Sequence, residues 1–207
     1  KTVFDSVTVG IDEGDRIGIV GRNGDGKSSL LGMLSGQIEP QAGRVTRRGG
    51  VRFGVLGQSD DLDPEATVGY SIAGDAPEHE WASDARIRDV IGGLVSDISW
   101  DAVIGRLSGG QRRRVALAAL LVGDWDVLLL DEPTSALDIG HQQQVLDLVD
   151  SMRRESGLTV VAAMHDLTSA AHYGERLVLL DGGRVVADGR PEEVLTAERV
   201  AQVYGAR

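Results

Sequence analysis

The stretch Gly21 to Ser28, "GRNGDGKS", restricts this chain more than any other. It matches the pattern G-x-x-x-x-G-K-[ST] in full. The run before it, "DRIGIV" (15–20), reads as a strand. The run after it, "KSSLLGMLSG" (27–36), reads as a helix closed by Gly36. A strand that turns through glycines directly into a helix points successive backbone N–H groups, and the positive end of the helix, at one spot. That arrangement suits phosphate oxygens. Gly21, Asn23, Gly24 and Gly26 would shape the loop, and Lys27 would reach the β- and γ-phosphates of a nucleotide. The Ser28 hydroxyl would hold Mg²⁺, and Ser29 could touch the α-phosphate. With 28 glycines in the chain, a chance match is the competing explanation. The strand–loop–helix context argues against it.

A second apolar run supports the same chemistry. "VLLLDE" (127–132) is a buried strand ending in two adjacent carboxylates. Asp131 is placed to bind Mg²⁺, directly or through water. Glu132, one residue further, can orient or deprotonate a water attacking the γ-phosphate. The plain alternative, a polar turn after a strand, loses weight once a phosphate loop lies upstream.

The rest of the chain supplies the elements of a layered α/β fold. Thr2, Ser6 and Thr8 alternate with Val3, Val7 and Val9, which predicts a half-buried N-terminal strand. "GRVTRRGGVRFGVLGQ" (43–58) predicts a hairpin turning at Gly49-Gly50. Residues 59–106 are acidic and carry Pro64 and Pro77. Ile87, Val90, Ile91, Leu94 and Val95 within them fall at helical spacing, so 83–96 is an amphipathic helix. This stretch reads as a helical insertion in an α/β core. Helices are then expected over 109–123 and 139–155. Strands are expected over 126–130 and 158–164, followed by a short helix from Asp166. A hairpin over 176–189 turns at Asp181-Gly182-Gly183, and one or two short helices close the chain. Alternating strands and helices imply a mostly parallel sheet, in one domain spanning 1–207.

Composition narrows the function. There are no cysteines, so a disulfide scaffold, an iron–sulfur cluster and a thiolate zinc site are excluded. A net charge of -11 argues against a general nucleic-acid binder, and no direct DNA binding is expected. The most basic stretch, "RVTRRGGVR" (44–52), reads as a solvated hairpin. No apolar run approaches the ~20 residues needed to cross a bilayer. The first ten residues read as a strand rather than a signal peptide. A soluble, cytoplasmic protein is expected, with docking on the inner face of a membrane left open.

Between the phosphate loop and the carboxylate pair lies "LSGGQRRRVALA" (107–118). Phosphate loop, LSGGQ and D-E pair, in that order, resemble the ATP-binding cassette (ABC) ATPases, and the resemblance covers essentially the whole chain. It implies a P-loop NTPase fold with an N-terminal antiparallel β-subdomain and an inserted helical subdomain over 59–106. It implies Mg²⁺ as cofactor and ATP as substrate. Gln58 matches a glutamine that contacts Mg²⁺ and the attacking water. Ser108, Gly109 and Gly110 match the residues that cap the γ-phosphate of a nucleotide held by a second cassette. "SALD" (135–138) matches a loop that puts Asp138 across that dimer interface. His165 matches a histidine that binds the γ-phosphate and braces Glu132. The resemblance assigns nothing to His79, His141 and His172, which read as surface or packing residues. Cassettes usually stack adenine on an aromatic before the first strand. Phe4 lies on the strand itself and is a weak fit. Trp125 stands where proline is frequent.

The two parts of the chain resemble different branches of the family. Up to Thr134 the sequence resembles the ABC-F proteins, soluble ATPases that act on ribosomes. From Ser135 on, "GHQQ" and "HDLTSAA" resemble ATPase subunits of iron–siderophore, haem or cobalamin importers. This implies a chimera joined near Thr134-Ser135, engineered or recombinant. The partners implied are a second cassette, as homodimer or pseudo-dimer, and a membrane permease. A ribosome is the alternative partner, and a nucleotide-binding scaffold without turnover the alternative function.

Overall fold

Apolar runs flanked by glycines and polar turns form the six strands seen among the described residues. The computed structural model describes residues 4–205. Its strands are β1 (Arg16–Gly21), β2 (Phe53–Leu56), β3 (Val127–Asp131), β4 (Thr159–Ala163), β5 (Arg176–Asp181) and β6 (Arg184–Gly189). They form one sheet in the order β2-β3-β4-β1-β5-β6. All neighbours are parallel except β5 and β6, a hairpin turned by Gly182 and Gly183 at φ 54° and 79°. The fold is the α/β P-loop architecture with a mostly parallel sheet.

The helices cover both faces. One side of β1 presents Ile17 and Ile19, which pack with Leu129, Val161, Val178 and with Leu30 and Leu31 of α1 (Lys27–Ser35). The other face packs Val20, Leu128, Leu130, Val160 and Ala162 against α5 (Gly109–Leu121) and α6 (Ile139–Ser156). Strands buried on both faces need apolar interiors, as β3 has over Val127–Leu130 and β4 over Val160–Ala163, with the polar Asp131 and Thr159 at strand ends. Between β2 and β3 run α2 (Val68–Ala73), α3 (Glu78–Trp81) and α4 (Ala85–Leu94), then a 3-10 turn at Ile104–Arg106. Val90 and Leu94 form the buried stripe of α4. The chain closes with α7 (Leu167–Tyr173), α8 (Pro191–Val194) and α9 (Ala197–Tyr204).

Two expectations need correction. Thr2 and Val3 lie outside the described residues. From Phe4 onward Val7 and Val9 are half-buried while Ser6 and Thr8 are exposed, so the alternation is present. Backbone pairing is limited to a single bridge, Ser6 to Arg184, and no strand forms. Similarly, 43–58 gives one strand, β2, which pairs in parallel with β3. The expected hairpin is absent because side chains hold the stretch another way. Arg47 donates to the carbonyls of Met33 and Leu34 at the end of α1, and Arg48 pairs with Glu13. Arg52 pairs with Asp124 and Asp126. Among the described residues no antiparallel N-terminal sheet is therefore present. The same contacts occupy three of the four arginines of the basic stretch within the chain.

The five parallel strands β1 to β5 send their C-terminal ends to the same edge of the sheet. This is where ligands bind in open α/β sheets. β1 leads into the phosphate loop, β2 to Gln58, β3 to Glu132 and β4 to His165.

Candidate active site

The phosphate loop holds its shape by its own bonds. Gly21 has φ 155°, and a Cβ there would lie 2.6 Å from the Leu180 carbonyl oxygen. Gly26, at φ 98°, is the N-cap of α1 and sits in the left-handed region that favours glycine. Asp25, which the motif leaves unspecified, is buried. It accepts from the Arg22 N–H at 2.8 Å and from the Gly182 N–H at 3.3 Å. It thus ties the loop to the β5–β6 turn. Lys27 is buried, and its ammonium donates to the carbonyls of Gly21 (2.8 Å) and Arg22 (3.2 Å). Gly24, at φ 90°, and Asn23 are exposed, while Ser29 is half-buried on α1.

The oxygen donors expected for Mg²⁺ converge. Gln58 Nε2 donates to Ser28 Oγ at 2.9 Å, closing 30 residues of chain. Asp131 is buried, and its Oδ1 has no partner. Burial pushes its carboxyl above the usual range, partly offset by the Ser28 hydroxyl beside it. An orphaned buried carboxylate oxygen next to a hydroxyl and an amide is a donor set that fits a hard divalent cation. These residues therefore fit Mg²⁺.

Glu132 follows with φ 48°, and its N–H donates to the Ala163 carbonyl of β4 at 3.0 Å. Its Oε2 lies 3.9 Å from Nδ1 of His165. That is too long for a hydrogen bond and short enough for a shared third group between them. Glu132 and Ala136, at φ 62°, are the two non-glycine residues with positive φ among those described. Strained backbone of this kind concentrates at functional sites.

The LSGGQ residues stand at the start of α5. Ser108 Oγ accepts from the Gln111 N–H, and the Gln111 side chain accepts from the Ser108 N–H, a reciprocal capping box. Ser108 and Gly109 are exposed. Gly110 is close-packed: a Cβ there would be 2.8 Å from the Ala136 carbonyl oxygen. Asp138 caps α6 through the His141 N–H at 2.9 Å and meets the His141 ring at 2.8 Å. These bonds hold its carboxyl below the usual range. Among the described residues no hydrogen bond joins Ser108 or Asp138 to the phosphate loop.

The sequence reading missed Asp25, the pairing of His141 with Asp138, and above all Arg113. Arg113 is buried on α5 and bonds to the chain on either side of the site. Three consecutive arginines were the available signal. A helix cannot turn residues i, i+1 and i+2 all to water when its neighbours cover it on two sides. Trp125 donates to the Leu120 carbonyl at 2.7 Å and covers Gly54 and Gly123. Phe4 packs against the sheet core, which uses its ring structurally.

Comparison with known proteins agrees with this geometry. Residues 4–135 match the protein-family model described as ABC transporter. The chain is 35% identical to the ferric enterobactin transport ATP-binding protein FepC of Escherichia coli (strain K12), over 100% of this chain and 83% of the relative. It is 39% identical to the hemin import ATP-binding protein HmuV of Nocardia farcinica, over 99% and 76%. Among solved structures it superposes on a dimeric ATP-binding cassette in a post-hydrolysis state bound to ADP and Pi. There the TM-score is 0.80 at 25% identity, over 92% of this chain and 91% of that one. A bacterial Atm1-family exporter with ATP bound gives a TM-score of 0.82 at 28% identity, over 99% of this chain and 39% of the other.

Proposed function

Because the chain belongs to the ABC transporter family of ATP-binding, ATP-hydrolysing cassettes, we propose that it powers import of an iron-carrying small molecule, a siderophore or haem. Its partners would be a second cassette and a membrane permease. The observation that carries the ATPase reading is the meeting of Lys27, Ser28, Gln58, Asp131, Glu132 and His165 at one sheet edge. The importer reading is supported by relatives that align along the whole chain.

Each residue has a role that its surroundings suit. The loop amides around Gly21–Gly26, with the α1 N-terminus, would cradle the phosphates. The Lys27 ammonium, held on two loop carbonyls, would move onto the β/γ-phosphate oxygens. Ser28, Asp131 and the Gln58 amide would hold Mg²⁺, which when bound neutralises phosphate charge. Glu132 would take the proton of an in-line water or orient it, with His165 on the γ-phosphate side. Catalysis of this kind is mostly positioning.

The site would be completed by a second copy. Ser108 and Gly109 are exposed at this helix N-terminus with Gly110 half-buried behind them, and the serine's cap bond uses only its lone pair. The hydroxyl proton and the exposed Gly109 N–H would thus serve an anion on another molecule, while the Gln111 N–H is taken by the cap. Asp138 would meet the partner at the same face.

A ribosome-acting ABC-F fragment, or a scaffold joined near Thr134-Ser135, gains no comparable support. The importer relatives align on both sides of that point. The backbone also runs through it with local bonds, Ser135 N–H to the Glu132 carbonyl and Leu137 N–H to the Thr134 carbonyl. Among the described residues no helix is long and apolar enough to cross a membrane, which fits a subunit that docks on a permease.

Steady-state phosphate release tests the reading. The parent should hydrolyse Mg-ATP, with a rate per chain that climbs with protein concentration. Lys27→Ala and Glu132→Gln should each lower the rate by roughly a hundredfold or more. Glu132→Gln should still bind ATP. Parental turnover in Glu132→Gln would remove Glu132 from the chemistry.

A further inference from the structure

We propose that Arg113 is a positioning residue that holds Glu132 in its strained conformation and, with the same guanidinium, fixes the Gln58 loop. The inference rests on the ATPase reading above. One guanidinium nitrogen donates to the Asp131 carbonyl at 2.6 Å and the Glu132 carbonyl at 3.0 Å. Those two carbonyls belong to the peptide planes on either side of the Glu132 Cα. Gripping both restrains φ and ψ of that one residue, and φ is 48°. A left-handed non-glycine residue persists only where its surroundings over-determine it. The Glu132 N–H bond to Ala163 supplies one constraint and Arg113 supplies two more.

The other guanidinium nitrogen donates to the Gly57 carbonyl at 2.8 Å and to Asp60 Oδ1 at 2.9 Å. Gly57 and Asp60 bracket Gln58. The four acceptors therefore flank the three side chains assigned to metal and water: Gln58, Asp131 and Glu132. The arginine side chain is 3% exposed and Asp60 18%, so this is a shielded charge pair rather than a solvated one. Breaking such a pair from one side leaves a buried group without a partner. A lysine has one point charge and cannot span both sets of acceptors, while the planar fork can. Arg113 touches neither the phosphate loop nor Lys27 through any of these bonds. Its loss should misplace the water-activating carboxylate and leave ATP binding nearly intact.

The test uses the full chain with Arg113→Met, Arg113→Lys and Asp60→Asn. kcat is measured with Mg-ATP and affinity with ATP itself, alongside amide hydrogen exchange. Arg113→Met should lower kcat about tenfold to a hundredfold while ATP affinity changes less than about threefold. Arg113→Lys should recover part of the rate. Asp60→Asn should lose less than Arg113→Met and add nothing to it in the double variant. Exchange should quicken at residues 57–62 and 132–135 and stay unchanged in β1 and α1. The proposal is overturned if Arg113→Met keeps kcat within about twofold, or if kcat and affinity fall in proportion. It is also overturned if exchange quickens evenly along the chain. Should Arg113→Met fail to fold, the same split between kcat and affinity in Arg113→Lys and Asp60→Asn decides. A parent that binds ATP without hydrolysing it would sink the catalytic reading alone, and the exchange pattern would still judge Arg113.

Discussion

Asp131 sits at the end of β3 with a buried, unpartnered oxygen, and burial raises its pKa. The folded chain therefore holds this proton to higher pH than the unfolded chain does. Between the ordinary carboxylate value, about 4, and the raised one, stability falls as pH rises. Asp131→Asn removes that penalty. Without metal, the variant should melt above the parent at neutral pH, and the gap should close as pH drops below about 4. Calorimetry across that range checks it, and a variant melting below the parent at neutral pH would contradict it. With Mg-ATP the order should reverse, since the asparagine gives up the cation's charged ligand. At this scale the sequence was informative wherever one motif carried the chemistry. Lys27 was expected at the site from the strand–loop–helix order and Asp131 and Glu132 from the end of an apolar strand, and the structure brings the three to one sheet edge. The link between Arg113 and Asp60 was not expected, because Gly57 and Asp60 lie 56 and 53 residues from Arg113 along the chain and neither belongs to a motif. A run of arginines reads as solvated until the surrounding helices are known.

At the scale of elements, the proposed function asks one serine of α5 to do two jobs. Ser108 Oγ accepts the Gln111 N–H as an N-cap, and the same residue is exposed, where the proposed second copy would meet it. Ser108→Ala should cost about 1 kcal/mol of folding stability, the usual loss of a cap. Turnover should fall by more than that stability loss explains, while ATP affinity of the separate chain stays unchanged. Urea melts with phosphate release distinguish the two effects, and activity at the parental level would contradict the second role. The buried strands and the longer helices α1, α4, α5 and α6 were readable within a residue or two from apolar periodicity, while the short α2 and α3 of the insertion were not read separately, having too few turns to show a period. The N-terminal strand and the 43–58 hairpin were misread. Alternation of valines says which face is buried, but a strand also needs a partner ladder. Here Phe4, Val7 and Val9 pack on the core without one, and Arg47 draws its segment onto the end of α1.

At the scale of the molecule, the parallel sheet explains why residues from 21 to 165 meet, and it leaves Ser108 and Gly109 at the start of α5 facing out. A site split in this way predicts that ATP draws two copies together, even though each carries a net charge of -11 and repels its like. Hydrolysis would then release them. A chain blocked at Glu132, the carboxylate proposed to activate water, should accumulate in the joined state. The direct measurement is sedimentation of Glu132→Gln with Mg-ATP and with Mg-ADP at about 0.15 M salt, where charge repulsion is screened within ~8 Å. A dimer with ATP and a monomer with ADP is the predicted result. A monomer in both, at protein concentrations where the parent hydrolyses ATP, would contradict a site shared between two copies.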